Sequence, residues 1–129
     1  AGLGDVVGKT ELYVQLLAER LLLLWRPGAS HAEQDYVMGG TLVFPKDIGI
    51  RYRDPSGAIT HASGFLERCR AAGRRVYATS RRHYVYRRFP QPEHHAWRPP
   101  DDDLFRRESI VVRREVGEDA DDLLLRLVS

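Results

Sequence analysis

The chain is short of cysteine, of lysine and of charge of one sign. Its 129 residues include a single cysteine, Cys69. That excludes an internal disulfide and any zinc site built from several cysteines. No apolar run is long enough for a bilayer. The most apolar stretch, Leu12 to Trp25, has 14 residues interrupted by Gln15, Glu19 and Arg20, whereas a membrane-crossing helix needs about 20. The stretch also lies too far from a basic start, with no small-residue cleavage pattern behind it, to read as a secretory leader. The expectation is a cytoplasmic protein with no membrane partner. Of 20 basic residues only Lys9 and Lys46 are lysine, which leaves 20 − 2 = 18 arginines. The net charge of 20 − 18 = +2 is too small to require a polyanionic partner.

What is present is ordinary for a folded domain: 43% hydrophobic and 29% charged residues. The length predicts a single α+β domain over 1–129, able to bury about two thirds of its unfolded surface. Charge is unevenly placed. Residues 1–67 carry 6 − 8 = −2, residues 68–98 carry 9 − 1 = +8, and residues 99–129 carry 5 − 9 = −4. A basic block therefore lies between two acidic ones.

Residues 1–9 are glycine-rich and read as a frayed end. From Thr10 to Trp25 the polar residues Glu11, Gln15 and Glu19 recur every four positions, a narrow wet stripe on an otherwise apolar helix. So thin a wet face calls for cover on most sides, by a sheet and by a second copy of the chain. The four leucines Leu21–Leu24 could alternatively form a short buried strand. Pro27-Gly28 ends the element. Tyr36–Phe44 is β-prone. Ile48, Ile50 and Tyr52 alternate with polar or small residues as a half-buried strand does. Asp54-Pro55-Ser56-Gly57 is a type I turn sequence leading to a short return strand at 58–60. Ser63 caps a second helix over Gly64–Ala72, which Gly73 stops. Val76–Phe89 and Leu104–Val116 read as long strands. Between them, Pro90 to Asp103 holds four prolines and reads as a loop. Leu123–Val128 reads as a pairing strand, with a helix capped by Asp121 or Asp122 as the alternative. The expected fold is thus two helices, one N-terminal, packed on a curved, mainly antiparallel sheet that ends in a long-stranded meander.

The segment Ile50-Arg51-Tyr52-Arg53-Asp54-Pro55-Ser56-Gly57, followed by a short strand and a helix near Ser63, resembles a hairpin of the nuclear transport factor 2-like superfamily, the cystatin-like α+β barrels. Length and an opening helix fit the same pattern. His61 stands where that family usually has glycine. The resemblance implies a sheet curved around a pocket, homodimers, and either a small-molecule enzyme or a non-catalytic binder; it transfers no catalytic residue.

Several groups of residues could carry chemistry. Residues 74–88 interleave arginine with tyrosine, and guanidinium groups with aromatic faces suit single-stranded nucleic acid. On one strand Arg81, His83, Val85 and Arg87 share a face, and Arg82, Tyr84, Tyr86 and Arg88 share the other. With Trp97, these arginines and tyrosines form the candidate binding set. Their structural alternative is pairing with the acidic residues of 101–103 and 113–122. His94 and His95, beside Glu93 and Asp101–Asp103, are the weak candidates for a metal; no cofactor is expected. His61 and His83 have the side chain for proton transfer near neutrality, with Asp54 as a candidate partner. Cys69, on the inner face of the second helix, reads as a buried, inert thiol. Gly4-Asp5-Val6-Val7-Gly8-Lys9-Thr10 ends like a phosphate-binding loop, but has three residues between its outer glycines where four are needed. The leading functional reading is a ligand- or partner-binding domain without catalysis, self-associating through the apolar first helix. A pocket enzyme using His/Asp acid–base chemistry and an Arg/Tyr nucleic-acid binder or nuclease-type protein are the alternatives.

Overall fold

The computed structural model describes residues 5–56, 62–90 and 103–129. In chain order its elements are β1 (Val6–Gly8), β2 (Leu12–Leu16), β3 (Leu21–Trp25), β4 (Ala32–Glu33), α1 (Lys46–Tyr52), α2 (Ala62–Ala71), β5 (Val76–Ala78), β6 (Val85–Arg88), α3 (Asp103–Arg107), β7 (Ser109–Arg114) and α4 (Asp121–Val128), with a 3-10 turn at Gly39–Thr41. The protein is α+β, with two mixed sheets in place of one curved antiparallel sheet. It divides into two compact units, Ala1–Thr10 with Ala29–Ser80, and Glu11–Gly28 with Arg81–Ser129. No helix among the described residues is long and apolar enough to cross a membrane.

In the first unit the sheet order is β1-β5-β4, with β1 parallel and β4 antiparallel to β5. Residues 6–8, expected to fray, form β1 because Val6 is fully buried opposite Val76. Parallel strands need a long connection, and this one carries α1 and α2. The core joins Val6 and Val76 to Val37, Ile48, Leu66, Cys69 and Ala78. The strand expected over Ile48–Tyr52 is helix α1. Its first turn closes on the Pro45 carbonyl, which accepts from the amides of Ile48 (3.1 Å) and Gly49 (3.2 Å). Ile48 is buried and Tyr52, four residues on, packs on the same core, while Ile50 is exposed. Tyr36–Phe44 is likewise not a strand: it contains the 3-10 turn, packs Val37 into the core and pairs with the sheet as an isolated bridge where Val43 meets Val7. The second helix is present as α2, and Gly73 stops it at φ +82°. The Arg74 amide donates back to the Cys69 carbonyl at 2.9 Å. The return strand at 58–60 lies outside the described residues.

The second unit has a four-stranded sheet, β6-β2-β3-β7. Here the expected N-terminal helix is corrected to an antiparallel hairpin, with Leu12 opposite Trp25 and Leu16 opposite Leu21. Leucine after leucine suits central strands buried on both faces, and every residue of β2 is buried. The polar residues spaced four apart do not share a wet stripe. Glu11 and Gln15 are buried, and Glu19 sits in the turn, paired with Arg106. That turn closes through the Arg20 amide on the Leu17 carbonyl (3.3 Å), with Arg20 at φ 55°. Helix α4, the alternative reading of the C-terminal segment, replaces the expected strand. It covers one face of the sheet through Leu123, Leu124, Leu127 and Val128 against Tyr13, Leu22 and Leu24. From α3, Phe105 packs edge-on against Trp25 and tilted against Tyr86, at centroid distances of 5.7 and 5.6 Å. The long strands expected over 76–89 and 104–116 are each divided. The first is split between the two sheets as β5 and β6, with His83 at φ 66° between them. The second becomes α3 followed by β7. The apolar first helix as a self-association surface goes with the helix itself: its residues are interior strands.

Candidate functional site

The basic block is divided between the units: Arg70, Arg74 and Arg75 pair with Asp35, Asp5 and Glu33 in the first, and the arginines of 81–88 find partners in the second. Arg81 reaches the nearly buried Glu11 carboxylate at 3.2 Å, which also accepts from the Gly28 amide at 2.9 Å. Arg82 donates through Nε and Nη2 to the Ser129 carbonyl (3.1 and 2.8 Å). Arg87 donates to Gln15 Oε1 (3.0 Å) and to the Glu118 carbonyl (3.0 Å), and lies over the Phe89 ring. Arg88 is buried, with Nη1 3.5 Å from the Tyr86 hydroxyl. Burial pushes the Tyr84 phenol above its ordinary pKa. These arginines thus meet the Ser129 and Glu118 carbonyls, Gln15, Glu11, the Tyr86 hydroxyl and the Phe89 ring.

The candidate acid–base residues are not brought into one arrangement. His83 is exposed, and its backbone amide donates to the Val128 carbonyl at 2.7 Å. Asp54 accepts from the Ser56 amide (2.9 Å) and hydroxyl (2.6 Å). These bonds, with Arg68 as a lesser cause, hold its carboxyl below the usual range. That is the chemistry of a turn-forming aspartate. His61, His94, His95 and Trp97 lie outside the described residues. Among the described residues no group of three or more His, Cys, Asp or Glu side chains could hold a metal ion.

The site that the fold does assemble lies at the carboxyl ends of β1 and β5 in the first unit. Lys9 follows β1 directly and is fixed at three points. Its amide donates to Thr41 Oγ1 (2.9 Å), its carbonyl accepts from the Met38 amide (2.8 Å), and its Nζ donates to the Ser80 carbonyl. Thr41 in turn donates to the Met38 carbonyl at 2.7 Å. From the neighbouring strand, the amide and hydroxyl of Thr79 both donate to the Gly8 carbonyl (2.7 and 3.0 Å). Thr10 is buried and donates to the Tyr36 carbonyl at 2.6 Å. Lys9 is half-buried and, among the described residues, pairs with no carboxylate. Burial lowers its pKa from the ordinary lysine value.

This arrangement can hold a negatively charged group. Nζ carries three donors, of which one is used among the described residues, and a desolvated cation facing a neutral carbonyl is stabilised by an anion. The sequence contains the signal, Gly8-Lys9-Thr10, in a segment whose spacing does not match a phosphate loop. The structure agrees that it is not one, since β2 rather than a helix follows it. Nothing in the sequence links Lys9 to Thr41 and Ser80, which lie 32 and 71 residues away. Comparison with protein-family models, with curated proteins and with solved structures finds no match to this chain.

Proposed function

We propose that this chain is a binding domain without catalysis of its own, which takes a small anion, a carboxylate or a phosphate, on Lys9. The observation that carries this reading is the half-buried Lys9 ammonium, held at the carboxyl ends of two parallel strands with, among the described residues, a single neutral acceptor. Open α/β sheets place ligands outside the carboxyl ends of their parallel strands, which supports the location. Lysine suits the role as a compact, fully rotatable point charge. The Thr41 and Met38 contacts fix the backbone beneath it, so little ordering remains to oppose binding. Nucleic-acid binding has less to rest on, because Arg81, Arg87 and Arg88 are turned to partners within their own unit.

The test is an amide-resolved NMR titration with inorganic phosphate and, separately, with acetate. Shifts concentrated at Lys9, Thr41, Thr79 and Ser80, and absent in Lys9→Met, are the expected result. Shifts spread over the surface arginines and unchanged in Lys9→Met would remove the proposal.

A further inference from the structure

Two rows of side chains lie next to each other on the outer face of the first unit's sheet, one apolar and one polar. Burial alternates along the chain from Val6 to Thr10: Val6, Gly8 and Thr10 are buried, while Val7 and Lys9 are half-buried. Alternate residues of an extended chain share a face, so Lys9 projects on the same side as Val7. Strand β5 repeats the pattern, with Val76 and Ala78 buried and Tyr77 and Thr79 half-buried. Helices α1 and α2 pack on the other side, where Ile48, Leu66 and Cys69 meet Val6 and Val76.

Pairing fixes which residues are neighbours across the strands. Residues opposite each other in a ladder point to the same face. Val7 stands opposite Tyr77 on one side and Val43 on the other. Tyr77 is in turn opposite Glu33, whose carboxylate is taken up by Arg75. One row therefore reads Val43, Val7, Tyr77, about 10 Å across at the usual strand spacing, with an ion pair at its far end. Val43 is 65% exposed. The next row, about 7 Å further along the strands, holds Lys9 and Thr79. Thr79 turns its hydroxyl to the Gly8 carbonyl, which leaves the Lys9 ammonium as the cation bordering the apolar row.

An apolar patch alone says nothing about what lies on it. Here a half-buried cation stands at its border, and the two together select an amphiphile. An inorganic anion would satisfy Lys9 but leave Val43 in water. An uncharged hydrophobe would cover the valines but bring nothing to a desolvated ammonium. A flat ring suits a sheet face and can stack offset against Tyr77. The spacing between the rows is met by a ring two carbons away from its carboxylate.

We infer that the ligand of this site is an aryl-substituted carboxylate, with its carboxylate on Lys9 and its ring across Val43, Val7 and Tyr77. The inference rests on the anion-binding reading of Lys9 and adds the class of ligand. The test compares 3-phenylpropionate with acetate by NMR titration of the whole chain. The aryl acid is expected to bind about tenfold more tightly, which corresponds to removing about 60 Å² of apolar surface from water. Its ring protons are expected to give NOEs to the methyl groups of Val7 and Val43. The uncharged 3-phenylpropanamide should bind more weakly than the acid, and the isosteric double variant Val7→Thr/Val43→Thr should narrow the preference for the aryl acid over acetate. Acetate reaching Lys9 with 3-phenylpropionate no tighter would overturn this inference and leave the anion reading standing. A ring seated elsewhere, or binding that Lys9→Met leaves unchanged, would overturn it as well. Neither acid reaching Lys9 would remove both.

Discussion

Replacing Gly8 with alanine tests the packing beneath Lys9. Gly8 is buried at the end of β1, opposite Ala78 of β5. A Cβ placed there would lie 2.7 Å from Val37 Cγ2, 2.8 Å from Val37 Cβ and 3.1 Å from Thr41 Oγ1, where carbon atoms rest comfortably at about 3.5–4.0 Å. Val37 is fully buried and β-branched, so it cannot swing aside at χ1, and the backbone must move. Overpacking of this kind costs about 1–3 kcal/mol. Alanine also restricts the unfolded chain, which stabilises by about 0.4–1 kcal/mol. The difference predicts a net destabilisation of up to about 2.6 kcal/mol, centred near about 1.3 kcal/mol, read from urea unfolding at constant m-value. Val37→Ala alone should cost about 1.5–3 kcal/mol. An alanine at position 37 keeps its Cβ, 2.8 Å from the new one, so the double variant should recover only the part of the clash made by Cγ2 and remain less stable than Val37→Ala alone. Gly8→Ala stabilising the protein, in either background, would refute the reasoning. Met38 and Thr41 adjoin Val37 and hold Lys9, so the same shift should also weaken phosphate binding.

Two further outcomes follow from other parts of the structure. Gln15 is fully buried in the centre of β2, donating to the Gly117 carbonyl at 2.7 Å and accepting from Arg87; Gln15→Leu should cost about 1–3 kcal/mol in urea unfolding by leaving a carbonyl and a guanidinium short of a partner, whereas a surface position on a helix would tolerate the change within about 0.5 kcal/mol. Cys69 is fully buried, and desolvation raises its thiol above the ordinary cysteine pKa; labelling by a disulfide reagent at neutral pH should be slow until denaturant is added, and rapid labelling of the native protein would contradict its place in the core.

Some of this fold was legible in the sequence. Gly73 stops a helix where expected, Asp54-Pro55-Ser56 forms a turn with the aspartate accepting from Ser56, and Cys69 lies inside. The misreadings share two physical causes. Patterns with two solutions are one: Ile48 and Tyr52 are alternate residues of a strand but also one turn apart on a helix, and a run of leucines has no period to read. Turns without turn residues are the other. Arg20, Arg26, His31, His83 and Glu115 all adopt positive φ, a region where glycine, asparagine or aspartate is the usual signal. The hairpin bend at Arg20 and the break at His83 therefore passed as the interior of one helix and one strand. The candidate site was not legible: Gly8-Lys9-Thr10 fails the spacing of a phosphate loop, so Lys9 carries no expectation, and its partners Thr41 and Ser80 come from distant positions that only the fold joins.

The most direct test of the account is the titration of Lys9 itself. The chain has two lysines, Lys9 and Lys46, so selective 13C labelling at Cε gives two signals, and exposed Lys46 serves as the reference in the same tube. Burial disfavours the charged form of Lys9. Between the lowered folded pKa and the ordinary lysine value the unfolded chain holds more protons, so this group's contribution to stability rises with pH across that window. A bound anion favours the ammonium and must move the folded pKa upward, with affinity falling as pH rises through it. The account predicts a Lys9 pKa below the ordinary lysine value in phosphate-free buffer, raised on adding inorganic phosphate. An ordinary Lys9 pKa that phosphate leaves unmoved would contradict it.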